Sequence, residues 1–204
     1  MKTLITVPMK DPTASKMRLS GTLTNTARAG LARFLFQRTL VFLKPVAVQS
    51  GADLAVVTES AEVASIARAH GCVMIDEPKG TDLSGAVSQA GRYAAAQGYN
   101  RLCIIPADLA APWQGDLIRF LHSRAAVTIC PSVDLGTNAL LVSPPDAIIF
   151  RYGISSAQRH GEAAKSRGLT PVFMPLKSLV FDIDNAACLS RAMKEVPILA
   201  EVYV

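Results

Sequence analysis

Three cations follow directly after the first apolar stretch of the chain. Lys10, Lys16 and Arg18 lie in one proline-containing loop after Thr3–Pro8, a run that is typical of a buried strand. Lysine binds a phosphate as a point charge, and arginine can bond two phosphate oxygens at once. In open α/β sheets, ligands bind beyond the carboxyl ends of the strands. The loop therefore predicts a site for a triphosphate, and a solvated charged loop is the alternative.

Two aspartates follow apolar runs in distant parts of the sequence. Asp108 comes just after Leu102–Ile105 and Pro106, and Asp184 comes after a late apolar run. Magnesium typically takes one or two carboxylates and completes its shell with phosphate oxygens and water. Asp108 and Asp184 are therefore the candidate Mg²⁺ ligands, and helix capping is the alternative for each. Asp182 is left open as either a structural residue or a further ligand.

A third polar group lies in two segments of the second half. Glycine and serine amides at the start of a helix can bind an anion, and arginine and histidine nearby add charge and donors. This group predicts a pocket for a second ligand that carries a phosphate and a carboxylate. A helix cap with surface arginines is the alternative. The candidate residues are Thr137, Asn138, Arg151, Gly153, Ser155, Ser156 and His160.

The elements that must position these residues alternate strictly in the first half of the chain. Alternating strands and helices are typical of a mostly parallel sheet with right-handed crossovers. We predict that Pro45 ends the first helix. Strands are predicted at Thr3–Pro8, Asp53–Thr58, Cys72–Ile75 and Leu102–Ile105, and helices at Thr26–Leu43, Glu62–His70 and Leu83–Gln97.

The second half contains closely spaced strands, which predict an antiparallel excursion of the sheet. No internal repeat or linker interrupts the chain, so we expect a single α/β domain over residues 1–204. Strands are predicted at Ala126–Cys130, Ala139–Val142, Val172–Met174, Ser178–Phe181 and Ile198–Val204, and helices at Gln114–Ser123, Ala157–Arg167 and from Asp184–Asn185 to about Lys194.

The composition excludes several classes of protein. Half of the residues are hydrophobic and 18% are charged, which disfavours disorder. A net charge of +5 suits anionic partners, but the cations are scattered and only 6% of residues are aromatic, so no nucleic-acid partner is expected. No run approaches a membrane span, and no signal peptide is evident. Four cysteines without Cys-x-x-Cys spacing predict reduced thiols in a cytoplasmic protein.

Two common nucleotide motifs and the usual nucleophile systems are absent from the sequence. No Gly-x-Gly-x-x-Gly follows the first strand, and there is no Gly-Lys-Ser or Gly-Lys-Thr loop. No convincing Ser/His/Asp or Cys/His arrangement is present either. This disfavours a dinucleotide oxidoreductase, a P-loop kinase and covalent catalysis. It favours a reaction that depends on positioning and on charge neutralisation.

The ordered set of motifs resembles one family along nearly the whole chain. The family is the guanylyltransferases of coenzyme F-420 biosynthesis, which act on 2-phospho-L-lactate or phosphoenolpyruvate. The segments that carry the resemblance are Val7-Pro-Met-Lys10, Lys16-Met-Arg18-Leu-Ser, Pro106-Ala-Asp108-Leu, Gly136-Thr-Asn138-Ala-Leu-Leu, Phe150-Arg-Tyr-Gly153 with Ser155, Ser156 and His160, and Asp182-Ile-Asp184.

The resemblance implies a fold, a reaction and a set of roles. The fold would be a nucleotide-diphospho-sugar transferase-like, Rossmann-type three-layer α/β sandwich, and the enzyme a nucleotidyltransferase of the 2.7.7 class. The partners would be GTP and a small phosphorylated carboxylic acid, with Mg²⁺ as cofactor. Independently of the resemblance, a homodimer is left open, because the apolar tail could pack on a partner. Asp108 and Asp184 would hold the metal, and Lys10, Lys16 and Arg18 would meet the phosphates as catalytic cations. The nucleotide would also contact Pro8, Leu83, Ser84, Pro106 and Ala107.

One segment departs from the family pattern. Ser84 stands where an asparagine is usual, and Asp82 stands where a glycine is usual. Two alternatives therefore remain open. One is a nucleotidyltransferase of the same fold with another nucleotide or acceptor, such as a cytidylyl- or molybdopterin-type enzyme. The other is a nucleotide-binding protein without catalysis.

Overall fold

The computed structural model describes residues 1–180 and 182–195. These residues form a seven-stranded sheet in the order β3-β2-β1-β4-β6-β5-β7, in which only β6 runs antiparallel to its neighbours. The strands are β1 Thr3–Pro8, β2 Ala52–Thr58, β3 Val73–Asp76, β4 Arg101–Ile104, β5 Val127–Pro131, β6 Thr137–Val142 and β7 Pro171–Phe173. The helices are α1 Asn25–Ser50, α2 Ala61–Ala69, α3 Leu83–Ala96, α4 Gln114–Leu121, α5 Ser156–Lys165 and α6 Ala186–Glu195.

The sheet is buried on both faces by helices. Helices α1, α2 and α4 pack on one face through side chains such as Phe36 and Phe120, which are fully buried. Helices α3 and α5 pack on the other face with small residues such as Ala90 and Ala157. Successive strand residues contribute to opposite faces, as the pleat requires. The three-layer sandwich and the antiparallel excursion are thus confirmed, and no described helix is long and apolar enough to cross a membrane.

The prediction that Pro45 ends the first helix is wrong, because α1 continues to Ser50. A proline in a helix leaves the carbonyl four residues earlier, here that of Val41, without its amide partner. The Val41 side chain is 60% exposed, so this turn of α1 faces solvent. Leu43 and Val46, on either side of the proline, are fully buried. Tertiary packing therefore outweighs the local cost of the proline.

The strand predicted at Ser178–Phe181 is also wrong over its described part. Ser178–Val180 forms a turn, in which the amides of Leu179 and Val180 both donate to the carbonyl of Leu176. The apolar residues of this segment are buried against the core rather than paired in the sheet. A short apolar run is compatible with either outcome, so its composition did not decide the matter. Phe181 and the strand predicted at Ile198–Val204 lie outside the described residues.

A separate apolar cluster joins the parts of the chain that carry the candidate chemistry. Leu19 follows the cationic loop, Leu31 and Leu35 belong to α1, Ala110 follows β4, and Ile183 precedes α6. All five side chains are buried to 2% exposure or less. Burying them together brings the cationic loop, the segment after β4 and the start of α6 to one point. This apolar contact is what positions the site.

Candidate active site

Lys16 lies at the centre of the site, with its side chain only 7% exposed. Its ammonium donates to the Asp108 carboxylate and, at 2.6 Å, to the carbonyl of Ile183. It lies 3.5 Å from Asp184 Oδ1. Burial alone would lower the pKa of Lys16, but the carboxylates of Asp108 and Asp184 outweigh that effect, and the net shift of the pKa is upward. Lys16 is therefore charged and joins the two aspartates that the sequence predicted would come together.

The backbone at Lys16 is strained in a way that is unusual for a residue with a side chain. Its φ of 56° and ψ of 36° lie in the left-handed region. Among the described residues only two other non-glycine residues have a positive φ, Leu135 and Ser155. Lys16 and Ser155 line the cavities of the candidate site, and Leu135 lies between two lining residues, Asp134 and Gly136, which is where such strain tends to be concentrated. The Arg28 guanidinium supports the strained loop by donating to the carbonyl of Ser15 at 2.7 Å.

Three carboxylates form an oxygen-rich cluster beside Lys16. Asp108, Asp182 and Asp184 each offer a carboxylate oxygen, and these atoms all lie within 4.8 Å of one another. The amide of Ile183 donates to the carbonyl of Asp108 at 3.2 Å, which fixes the two segments side by side. Burial, and then the charges of Asp108 and Asp184, raise the pKa of Asp182 to about 7. Such a group of hard oxygen donors fits Mg²⁺ by its chemistry.

Neither predicted metal ligand caps a helix. Helix α4 has Trp113 at its N-cap, and no side chain there accepts a capping hydrogen bond. In α6, the Asn185 side chain accepts from the amide of Cys188 at 2.9 Å. The capping alternative for Asp108 and Asp184 is therefore wrong, and both carboxylates face the cluster instead.

A first cavity, of about 390 Å³, opens beside this cluster at the carboxyl ends of β1 and β4. Lys10 is exposed and forms no ion pair with a described residue. Arg18 is 67% exposed and its guanidinium lies 3.3 Å from the Asp184 carboxylate. The predicted residues that line this cavity are Pro8, Lys10, Lys16, Arg18, Leu83, Pro106, Ala107, Asp108 and Asp184.

A second cavity, of about 400 Å³, meets the first at the acidic cluster. The two cavities share part of their walls, including Arg18, Asp108 and Asp184. A ligand in one cavity would therefore lie next to a ligand in the other. The predicted residues that line the second cavity are Thr137, Asn138, Gly153, Ser155 and Ser156.

The hydroxyl side chains of Thr137 and Ser156 in the second cavity are held by hydrogen bonds between neutral groups. The hydroxyls of Thr137 and Ser156 are 2.9 Å apart, and Thr137 Oγ1 lies 3.1 Å from Nδ1 of His160. His160 is fully buried behind them. Burial, and then the nearby Arg159, lower the pKa of His160 to about 4, so the imidazole is neutral near pH 7. The Asn138 amide donates to the carbonyl of Val180 at 3.0 Å.

Three predicted site residues lie outside the lining of both cavities. Ser84 accepts a hydrogen bond from the amide of Tyr152 at 3.0 Å, and thereby ties α3 to the segment before α5. His160 lies behind Thr137 and accepts from the amide of Arg151 at 3.0 Å. The Arg151 side chain lines a separate cavity of about 210 Å³, together with two further arginines, Arg159 and Arg167.

Some residues of the second cavity were not predicted. Asp134 lines the wall, and its carboxylate accepts from Ser132 Oγ at 2.5 Å and from the amide of Gly136 at 3.3 Å. Ser132 and Tyr152 line it as well. The turn sequence around Asp134 was a signal for its position, because short polar side chains bond nearby amides in turns. Tyr152 lies inside the Phe150-Arg-Tyr-Gly153 segment that carries the resemblance, but no role was predicted for its side chain.

With this geometry established, comparison with known proteins identifies the family. A family model described as "Guanylyl transferase CofC like" matches residues 1–194. The chain belongs to the CofC-like guanylyltransferase family. It is 38% identical over 188 residues to a 3-phospho-D-glycerate guanylyltransferase of Colwellia psychrerythraea, covering 91% of this chain and 88% of the relative.

Other relatives of the chain are named for different acceptors. A phosphoenolpyruvate guanylyltransferase of Rubrobacter xylanophilus is 29% identical, covering 94% of this chain and 93% of its own. A 2-phospho-L-lactate guanylyltransferase of Methanothermobacter thermautotrophicus is 30% identical, covering 91% and 82%. A solved nucleotidyl transferase from a Methanothermobacter species matches with a TM-score of 0.64 at 13% identity, covering 96% and 97%, and shows the same fold.

Asp82 and Ser84, at which a departure from the family pattern is expected from the sequence, have structural roles in this chain. Asp82 is the N-cap of α3 and accepts from the amide of Gly85 at 2.8 Å. Ser84 makes the bond to Tyr152 described above. Asp82 therefore stabilises the start of α3, and Ser84 connects α3 to the segment before α5. The backbone of Leu83, between them, is held in place at the shared wall.

Proposed function

We propose that this enzyme transfers GMP from GTP to a small phosphorylated three-carbon acid. An ionised phosphate oxygen of the acid attacks the α-phosphorus of GTP. The bond from that phosphorus to the bridging oxygen breaks, and pyrophosphate leaves. The observation that carries the proposal is the meeting of two cavities at one acidic cluster, since a donor and an acceptor must lie side by side there. The attacking oxygen is already an anion near neutral pH, so no general base is required.

The nucleotide belongs to the first cavity in this proposal. Lys10 and Arg18 are the cations with exposed side chains, and they would bond the phosphates. Lys16 is already paired with carboxylates, and its role would be to balance charge where the transferred phosphoryl group lies. The remaining contacts would come from Pro8, Leu83, Pro106 and Ala107, with Ser84 supporting Leu83 from behind.

Asp108 and Asp184 would hold Mg²⁺, and the nearby Asp182 is a candidate for a further ligand. When bound, the ion would neutralise the negative charge that builds up on the phosphate oxygens. The protein's own part is to hold carboxylates from two separate segments within reach of one ion. Lys16 adds a fixed positive charge to the same group.

The acceptor belongs to the second cavity. The hydroxyl and amide donors on the side of Thr137, Asn138 and Ser156 suit one anionic group of the acid, which leaves its phosphate free to face the nucleotide at the shared wall. The proposed contacts are Thr137, Asn138, Gly153, Ser155 and Ser156 at the wall, with His160 and the backbone of Arg151 behind them.

Three acids are the candidate acceptors: 3-phospho-D-glycerate, phosphoenolpyruvate and 2-phospho-L-lactate. The relative named for 3-phospho-D-glycerate shares 38% identity, against 29% and 30% for the two relatives named for the other acids, which supports testing it first. The decisive experiment measures pyrophosphate release for each acid with GTP, CTP or ATP. We expect release with GTP and at least one acid. Release with CTP alone would indicate a cytidylyltransferase, and calorimetric GTP binding without release would indicate a non-catalytic protein.

A further inference from the structure

His160 is a fully buried polar side chain that touches neither cavity directly. Its two ring nitrogens have different partners. Nε2 lies 3.0 Å from the amide nitrogen of Arg151, and Nδ1 lies 3.1 Å from Thr137 Oγ1. The Tyr152 ring packs edge-on against the imidazole, with ring centroids 4.8 Å apart. The ring therefore has a fixed orientation between a backbone amide and a hydroxyl of the second cavity.

We propose that His160 is a positioning residue, whose Nδ1–H donates a hydrogen bond to Thr137. This bond leaves the Thr137–Ser156 pair with one hydroxyl proton that it can donate to an anionic group of the acceptor. The inference rests on the function proposed for the second cavity. It adds the reason why the cavity offers a hydrogen-bond donor to the ligand.

The assignment follows from counting protons along the chain of contacts. A backbone N–H can only donate, so the amide of Arg151 requires Nε2 of His160 to accept. A neutral imidazole carries one N–H, which must then be on Nδ1. Nδ1 therefore donates to Thr137 Oγ1, and Thr137 keeps its own proton. The direction of the first two hydrogen bonds is set by the backbone.

The same count continues into the cavity. Thr137 and Ser156 have two hydroxyl protons between them, and the bond that joins them uses one. Neither hydroxyl has another hydrogen-bond partner among the described residues. One O–H is therefore left over, and both residues line the cavity. With the other tautomer, Thr137 would donate to His160 and Ser156 to Thr137, and no proton would remain for a ligand.

The consequence is a preference for the chemical class of the ligand. A leftover hydroxyl proton favours a carboxylate or phosphate oxygen at this point of the cavity over a group that can only donate. The cavity can recognise the acid without placing a second cation beside the cluster. The buried ring also holds Thr137 in position, so less side-chain freedom is lost when the ligand binds.

The tautomer can be measured on the wild-type protein without any assumption about its reaction. Long-range ¹H–¹⁵N spectra of ¹⁵N-histidine-labelled protein distinguish a protonated Nδ1 from a protonated Nε2. We expect His160 to be neutral at pH 7 with the proton on Nδ1. A proton on Nε2, or a charged ring at pH 7, would overturn the inference. If the wild type released no pyrophosphate with any acid, the proposed function would fail while this measurement still decided the tautomer.

A double-mutant cycle separates positioning through Thr137 from simple packing. His160→Met keeps a thioether that can accept weakly from Arg151 but has no N–H to donate to Thr137, and Thr137→Val removes the hydroxyl. We expect each change to raise the acceptor KM about 10-fold with little change in the KM for GTP. The acceptor KM of the double variant should also be about 10-fold above that of the wild type, because the two changes remove the same hydrogen bond. A roughly 100-fold rise in the double variant, or no rise in His160→Met, would contradict the inference.

Discussion

The two cavities that meet at Asp108 are held together by different kinds of interaction. Around the first, and at the cluster that it shares with the second, a buried ammonium, an exposed guanidinium and three carboxylates lie within a few ångströms of one another. Around the second, neutral hydroxyls and a neutral imidazole are connected by hydrogen bonds of fixed direction. Removing one charge from the first leaves the others uncompensated, whereas removing one hydrogen bond from the second changes only how a ligand is held. The first should therefore control turnover, and the second should control acceptor affinity.

The largest effect is expected from Asp108→Asn. The change removes a carboxylate from the point that both cavities share, so kcat should fall roughly 1,000-fold. Pyrophosphate release at saturating GTP and acid measures it. The matched control is Asp116→Asn, because Asp116 accepts from Ser178 away from the cavities, and it should retain activity within about twofold. Near-normal turnover in Asp108→Asn, with an unchanged melting temperature, would show that the acidic cluster does not take part in the reaction.

A smaller loss of activity is expected from Lys16→Met. Comparison with Arg18→Met tests how much of that loss is due to the burial of the cation. Lys16 is nearly buried between carboxylates, and removing it leaves those charges unpaired. We expect kcat/KM to fall about 100-fold, accompanied by a lower melting temperature. Arg18 is mostly exposed, so its loss should raise the KM for GTP only about 10-fold without changing stability. Equal effects of the two variants would contradict the distinction between the buried and the exposed cation.

The buried His160 behind the second cavity predicts that the stability of the fold depends on pH. The pKa of His160 is lowered from 6.5 to about 4, so the unfolded chain takes up this proton before the folded protein does. His160 therefore stabilises the fold fully above pH 6.5, and that stability is lost as the pH falls toward 4. Asp182 titrates in the opposite sense, because its pKa is raised and it gains a proton in the folded state near pH 7.

The contribution of His160 is isolated by comparing wild type with His160→Gln, which retains Asp182. The advantage of the wild type in the free energy of unfolding should shrink by about 2 to 3 kcal/mol between pH 7.5 and pH 4.5. Urea unfolding at the two pH values measures this change. An advantage that stays constant with pH would mean that His160 is not held neutral by its surroundings.

The sequence located the charged side of the site better than the neutral side. Lys16, Asp108 and Asp184 could be predicted because each follows an apolar strand or run, and strand ends define one edge of the sheet. The link from Arg151 to His160 could not be predicted, since it joins a backbone amide to a side chain nine residues away across the start of a helix. The continuation of α1 through Pro45 depended on which turn faces solvent, and no local pattern encodes that.

The smallest effect is expected from Arg151→Met, although the sequence marked this residue as a cation of the acceptor pocket. Its side chain lines a separate cavity with Arg159 and Arg167, and only its backbone amide reaches His160. Replacing the side chain leaves that amide in place. We therefore expect less than about a twofold change in the acceptor KM, close to the effect of an ordinary surface change. A rise of about 10-fold would mean that the guanidinium reaches the acceptor when the acid binds, and that a full positive charge assists the neutral donors of this cavity.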